Sequence, residues 1–422
     1  MLTAVVGINW GDEGKGRMVD LLSSGFDVIC RYQGGNNAGH TVINEKGKFI
    51  LNLLPSGILR ESTVNVMGAG MVIDIEHLMG EVKTLSEKGV SITPANLKIS
   101  NNAFISMPYH KKQDILEEER LGDKKYGSTR RGIAPVYGDK YMKKGIRMGD
   151  LLNRGSLERK LRDVLTWKNL MLGGYGFKAD ITDTLCWLTK YGTGLVPYIT
   201  DTTQYLQSAI RGEKKILFEA QLGALRDVDY GIYPYTTSSQ TLAAYAPIGA
   251  GIPGSKLDHV VGVIKAYSSC VGEGPFTAEM FGDEATALRE VGAEYGAATG
   301  RPRRVGGFDL PASRYGVQVQ GADTLALTKL DVLSYLDKIP VCVAYDIDGL
   351  KTDSFPTGDK LLKAKPVYEY LEGFKSDISK CRKAEELPQT ALRYIRFIEK
   401  GVGCPIKYVS VGAGRDEYLV LE

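Results

Sequence analysis

The sequence predicts an α/β fold: a large, mostly parallel central sheet flanked by helices, with a helical insertion. Three observations carry that reading. Short apolar runs of strand length recur at 3–8, 27–31, 64–67, 215–218, 259–263, 324–328, 341–345 and 406–411, with helical patterns between many of them. The first run leads into a glycine-rich turn at 11–16 and then an apolar-periodic stretch through Met18, Leu21 and Leu22, the layout of strand, turn and helix start. The stretch 101–201 is instead charge-rich and mostly helical, and reads as an insertion over the sheet within one α/β unit spanning 1–422.

Taken in order, the second strand, 27–31, runs into a polar turn of amides and glycines at 31–41. A helix is expected over 76–88, with Asp74 as its N-cap. The insertion contributes helices over 109–121, 157–171 and 181–190. Later, helix fragments are expected near 365–371 and 387–399, before a final strand and the turn at 410–414.

Composition is that of a soluble globular enzyme, with 43% hydrophobic and 24% charged residues in 422. The balance of 53 basic against 50 acidic residues points to neither nucleic acid nor membrane. Six scattered cysteines without a C-x-x-C pair argue for reduced thiols and a cytoplasmic location. The N-terminus enters the first strand without a targeting pattern, and no apolar run is long enough to span a bilayer.

Two loops carry chemistry. Gly11, Gly14 and Gly16 let the backbone approach an anion at a helix start, and Lys15 adds a point charge. Asp12 is the unusual member, an acid in a loop built for anions, which implies an intervening metal or proton chemistry on the substrate. The loop is not a Walker A motif, because Gly16 follows Lys15 where a Mg²⁺-binding hydroxyl is required. In the second loop Asn37 can read a base or a phosphoryl oxygen, and His40 can donate a proton near neutral pH. Both loops follow strands, where α/β sheets bind ligands.

Further blocks lie in order along the chain: G-A-G-M-V-I-D at 68–74, G-S-T-R-R-G-I at 127–133, D-V-D-Y-G-I-Y-P-Y-T-T-S-S at 227–239, V-I-K-A-Y at 263–267, T-G-R-P-R-R at 299–304 and T-K-L-D-V-L at 328–333. Together with the two loops they make the chain resemble the adenylosuccinate synthetase family from end to end. The resemblance implies a P-loop-NTPase-like sheet, and ligation of L-aspartate to IMP with GTP through a 6-phosphoryl intermediate. It makes Asp12 the base for the purine N1 proton and His40 the acid beside the β/γ-phosphate bridge. Mg²⁺ is expected on Asp12 and the Gly39 carbonyl.

By the same resemblance GTP is held by Gly11, Asp12, Glu13, Gly14, Lys15, Gly16, Arg17, Gly39, His40, Thr41 and Arg303. Its guanine is read by Lys329, Leu330 and Asp331, with Ser410, Val411 and Gly412 as the opposite wall. A carboxylate at 331 offers two acceptors to two adjacent guanine donors, selecting GTP over ATP. IMP is assigned to Asn37, Ala38, Thr129, Gln221, Leu222 and Thr237, with Lys143 reaching a partner's site in a homodimer with shared active sites. Aspartate is assigned to the loop Ala297, Ala298, Thr299, Gly300 and Arg301, whose guanidinium grips carboxylates.

The chain departs from the family pattern at Leu222 (a glutamine in the family), Lys143 (arginine), Ala298 (threonine), Cys270 (arginine), Arg130 (glycine) and Asn9 (glutamine). These changes gather on the IMP and aspartate side. Two alternatives therefore stay open: a divergent ligase acting on another 6-oxopurine nucleotide, and a GTP-binding protein without turnover.

Overall fold

The computed structural model describes residues 1–44, 47–296 and 300–421. Among them a ten-stranded sheet runs, edge to edge, Tyr418–Val420, Ile406–Ser410, Thr324–Thr328, His259–Lys265, β1 (Leu2–Gly7), Ile216–Glu219, β2 (Val28–Arg31), Val64–Met67, Leu97–Ser100 and Ile199–Thr200. Neighbours pair in parallel except the outermost pair, Ile406–Ser410 with Tyr418–Val420. β1 lies at the centre, with Thr3 level with both Leu217 and His259. Its six residues are all buried, which is why the strand reads as a continuous apolar run.

Parallel strands share one direction, so the loops after β1, β2, Ile216–Glu219, His259–Lys265, Thr324–Thr328 and Ile406–Ser410 all emerge on one edge of the sheet. The glycine-rich turn, the 33–40 turn and the segments beginning at 220, 266, 329 and 411 are thereby gathered together. Helix α1 (Lys15–Leu22) starts directly from the first of these loops.

The inserted helices are Pro108–Leu121, Ile133–Tyr141, Arg154–Gly173 and Ile181–Gly192. They leave and rejoin the sheet at two adjacent strands, where Ile99 pairs with Ile199. Leu161, Val164, Leu165 and Leu172 of the insertion share one buried cluster with Leu97 and Ile99 of the sheet. Each such side chain contributes about 1.5–3 kcal/mol by burial. The helix expected after Asp74 is Ile75–Glu87, and the Asp74 carboxylate accepts from the His77 N–H at 3.2 Å.

Two expectations need correction. The apolar run at 341–345 belongs to a separate four-stranded sheet, inside Lys338–Ile347, and not to the central one. The stretch expected as helix near 365–371 is the strand Lys365–Glu372, antiparallel to Lys338–Ile347. Val367 and Tyr368 suit a half-buried pleated surface, and a short run of this kind cannot be assigned by periodicity alone.

Candidate active site

The turn between β1 and α1 folds through three left-handed residues, Gly11 (φ 101°), Asp12 (φ 59°) and Gly14 (φ 101°). Only glycine adopts this conformation freely, so the positive φ at Asp12 is a constraint on a site residue. Inside the turn the Glu13 carboxylate accepts from the N–H groups of Asn9 (3.1 Å) and Gly11 (2.8 Å), and from Lys15 Nζ (2.6 Å). Glu13 and Lys15 are both buried, so the lysine charge is spent on a neighbour within the loop. Residue types alone suggest Lys15 as an outward point charge and give no sign of this pairing. Gly7 is fixed by the same pair, since a Cβ there would lie 2.6 Å from Glu13 Oε2 and 2.8 Å from Lys15 Nζ.

His40 opens the strand His40–Asn44 and packs against Gly16 of α1. Its Nδ1 lies 2.5 Å from Glu219 Oε1 at the carboxyl end of Ile216–Glu219. Glu219 is fully buried and also accepts from Ser56 Oγ (2.6 Å) and Ser56 N–H (2.7 Å). Burial lowers the His40 pKa, and the Glu219 carboxylate opposes that shift. Burial alone would raise Glu219, but His40, Arg31 and Ser56 outweigh it and hold it below the usual carboxylate range. An ionised Glu219 accepts a hydrogen bond from Nδ1–H and leaves Nε2 for a ligand.

A cavity of about 830 Å³ opens at the sheet edge, and Asp12, Asn37, Ala38, Gly39, Thr129, Leu222, Thr237 and Arg303 all line it. Arg303 Nε stands 2.9 Å from Asp12 Oδ2, and its Nη1 donates to Glu294 at 2.9 Å. Glu294 is a buried hub that also accepts from Lys265 (2.8 Å) and Tyr267 (2.5 Å). Burial would raise its pKa, but Lys265, Lys329 and Arg303 outweigh it and hold the carboxyl well below the usual range. Neither Glu219 nor Glu294 stands out in the sequence as a site residue.

Asp12 and Gly39 bring one carboxylate and one carbonyl to the same cavity. No cluster of three or more His, Cys, Asp or Glu side chains suited to a metal exists among the described residues. Such a sparse set of oxygen donors fits Mg²⁺, which keeps much of its shell on phosphates and water.

Residues 329–331 and 410–417 form a second corner of the same edge. Arg17 of α1 donates to Ser410 Oγ, to the Gly412 carbonyl (2.5 Å) and to the Glu417 carbonyl (2.9 Å), stapling the 410–417 turn to the glycine-rich loop. Asp331 Oδ1 is buried without a hydrogen-bond partner, and burial raises the pKa of this carboxyl. An orphaned buried acceptor is costly unless a ligand donor meets it. Lys329 (φ 58°) turns back and donates to the Gly292 carbonyl.

Other sequence-assigned residues sit differently. Gln221 is fully buried and donates to the Gly35 carbonyl at 2.9 Å, so Leu222 (φ 62°), and not the amide, faces the cavity. The Thr237 N–H is taken by the Arg226 carbonyl at 2.9 Å, which leaves the hydroxyl for a ligand. Thr129 is exposed and lines the cavity. Lys143 is exposed just beyond Ile133–Tyr141 and does not line the cavity. Arg301 lies 3.3 Å from Glu273, and Gly300 is left-handed at φ 65°. Ala297, Ala298 and Thr299 lie outside the described residues.

A family model described as adenylosuccinate synthetase matches residues 4–419. The chain is 45% identical to the adenylosuccinate synthetase of Streptococcus gordonii, over 99% of this chain and 97% of that protein. It is 45% identical to that of Thermosynechococcus vestitus, over 99% and 94%. It is similar to the structure of fully ligated adenylosuccinate synthetase from Plasmodium falciparum, with TM-score 0.94 and 37% identity over 100% of this chain and 99% of that one. A succinoaminodeoxyadenylate synthetase of cyanophage S-2L, bound to dGMP and dATP, shares the fold at TM-score 0.62 and 18% identity over 99% and 95%.

Proposed function

The chain belongs to the adenylosuccinate synthetase family, and from that premise we propose the following reaction at this cavity. It joins L-aspartate to IMP with GTP, giving adenylosuccinate, GDP and phosphate in purine biosynthesis. Asp12 takes the N1 proton of the purine and leaves negative charge on O6. O6 attacks the γ-phosphoryl group of GTP, and GDP departs. The aspartate amine then attacks C6, and phosphate leaves with the oxygen.

His40 is the acid at the β/γ bridge. Because Glu219 accepts the hydrogen bond from Nδ1–H, a second proton on the ring sits on Nε2, the nitrogen left for the phosphates. Asp331 reads guanine with the acceptor oxygen that has no partner within the protein. Asp12 and Gly39 would hold Mg²⁺, which when bound supplies positive charge to the phosphoryl oxygens. Arg303, now on Asp12, remains anchored by Glu294 when that carboxylate turns to substrate.

The observation that carries this reading is the placement of Asp12, Gly39 and Thr237 around one cavity, beside a histidine keyed to a buried carboxylate. Whole-length family membership favours it over a switch without turnover or a ligase for another purine. The test is a spectroscopic assay with IMP, GTP, Mg²⁺ and aspartate. Equal amounts of adenylosuccinate and GDP are expected. GTP binding with no turnover, or turnover only with another 6-oxopurine nucleotide, overturns it.

Residues 1–422 act as one α/β unit, which the buried cluster shared by insertion and sheet supports. The protein works as a homodimer in the cytoplasm with Lys143 serving the partner's site. Exposed Tyr141 and Met142 beside Lys143 support an interface there. No helix of the described residues is long and apolar enough to cross a membrane.

A further inference from the structure

Arg226 lies in the cavity wall, on the loop after Ile216–Glu219, and is only 7% exposed. Its guanidinium is engaged from several directions. Nη1 donates to the Tyr235 carbonyl and to the Glu273 carbonyl at 3.3 Å. Nη2 donates to the Val271 carbonyl at 2.6 Å and to Cys270 Sγ at 2.9 Å. The Arg226 backbone carbonyl holds the Thr237 N–H. One residue therefore joins the segment bearing Thr237 to the segment 270–273.

A second arginine completes the arrangement. Arg304 Nη1 donates to the Gly274 carbonyl (2.8 Å) and the Gly272 carbonyl (3.4 Å), while its Nε is held by Glu279 at 2.8 Å. The carbonyls of 271 and 273 go to Arg226 and those of 272 and 274 to Arg304, so the two arginines divide this turn alternately between them. Val271 and Gly272 line the cavity. Four consecutive carbonyls facing cations make a rigid wall, because a guanidinium presents its donors in a fixed fork.

Cys270 is what makes room. It is 2% exposed, and its sulfur touches the Arg226 guanidinium. An arginine at 270, the residue the family resemblance places there, would start from the position of this sulfur and bring a second positive charge against Arg226.

We propose that Arg226 is a positioning residue for the acceptor nucleotide, and that the pair Arg226 and Cys270 is an exchange in which the guanidinium supporting this wall comes from position 226 instead of 270. The exchange sets the spacing between the Thr237 hydroxyl and the 271–274 turn, and thereby the fit of the acceptor but not of GTP. The proposal rests on the reading of this cavity as the acceptor site.

The test is a double-mutant cycle of Arg226→Leu, Cys270→Arg and the double variant, with KM for IMP, KM for GTP, kcat and Tm measured for each. Arg226→Leu is expected to raise the IMP KM by about tenfold or more, since it strands buried carbonyls, and to leave the GTP KM within about twofold. Cys270→Arg alone is expected to be similarly impaired through crowding of like charges. The double variant is expected to recover most of the loss, where independent sites would simply add.

Additive losses, or equal effects on IMP and GTP, overturn the proposal. Should Arg226→Leu fail to fold, Arg226→Lys keeps the charge without the fork; an unchanged IMP KM in that variant overturns it equally. Wild-type protein that does not turn over IMP removes the acceptor reading. The exchange is then decided by the coupling of the two positions in Tm, with additive Tm losses counting against it.

Discussion

Replacing Glu219 by glutamine keeps the shape of the side chain and removes one charge. The carboxylate serves three donors with two oxygens: His40 Nδ1 at 2.5 Å, Ser56 Oγ at 2.6 Å and Ser56 N–H at 2.7 Å. An amide has one acceptor oxygen and an NH₂ group. With the oxygen toward His40, the NH₂ meets the Ser56 N–H donor to donor. With the oxygen toward the Ser56 N–H, the NH₂ forces His40 Nδ1 to accept. Either choice leaves a buried mismatch worth about 1–3 kcal/mol of stability. The larger effect is on rate. Glu219 opposes the lowering of the His40 pKa by burial, so without its charge the protonated ring is lost at lower pH. General acid catalysis supplies about 10²–10⁴-fold, and we expect kcat of Glu219→Gln to fall by about 100-fold with IMP and GTP KM little changed. Initial rates across the neutral range should show the alkaline limb of kcat displaced toward acid. A variant with kcat within about twofold of wild type and an unmoved limb would refute the acid role of His40.

Asp12→Ala should lower kcat by about 10²–10⁴-fold while Tm stays close to wild type, because the residue is partly exposed and sits at a strained φ of 59°; near-normal turnover removes the base. Asp331→Asn should weaken GTP by about 10–100-fold, the range of one lost hydrogen bond to a charged group, read by calorimetric titration. Burial raises the Asp331 pKa, so wild-type GTP affinity should fall as pH drops through that raised value, whereas the asparagine variant should stay flat; parallel profiles would contradict the assignment. Arg130 holds a left-handed φ of 58° where the family pattern has glycine, and Arg130→Gly should stabilise the protein by about 1 kcal/mol, visible as a higher Tm. A lower Tm would mean that Arg130 makes a compensating contact.

The centre of the fold is legible in the sequence because its strands are buried on both faces and read as unbroken apolar runs, as in β1. The edges are not. Leu97–Ser100 carries a lysine, Ile199–Thr200 is two residues long, and Tyr418–Val420 follows a turn that gives no apolar signal. The glycine-rich loop is legible as a site from its residue types, but not the destination of its charges, since Lys15 and Glu13 satisfy each other. Partners far apart in sequence are invisible: Glu219 stands 179 positions from His40, and Glu294 stands 29 from Lys265. Glu219 does leave one signal, an acid closing the otherwise apolar strand Ile216–Glu219. The displacement of Gln221 and Leu222 by one place against the family pattern is plain in the sequence. Which of them faces the cavity depends on the left-handed turn at 222, which sequence does not announce.

The failed Walker pattern has a steric cause that connects the two loops. A Cβ at position 16 would lie 2.6 Å from His40 Cβ and 3.1 Å from its Cγ, inside any tolerable contact. A side chain of any kind at 16 and the side chain now at 40 are therefore incompatible in this geometry. The histidine is in turn held by Glu219, which Ser56 holds in place, so it cannot move aside without breaking a buried hydrogen bond. The loop lacks the hydroxyl that P-loop proteins use for Mg²⁺ and has the His40 side chain packed against it instead. An ion accompanying a triphosphate would need other protein donors, and Asp12 and Gly39 both line the cavity beside this loop.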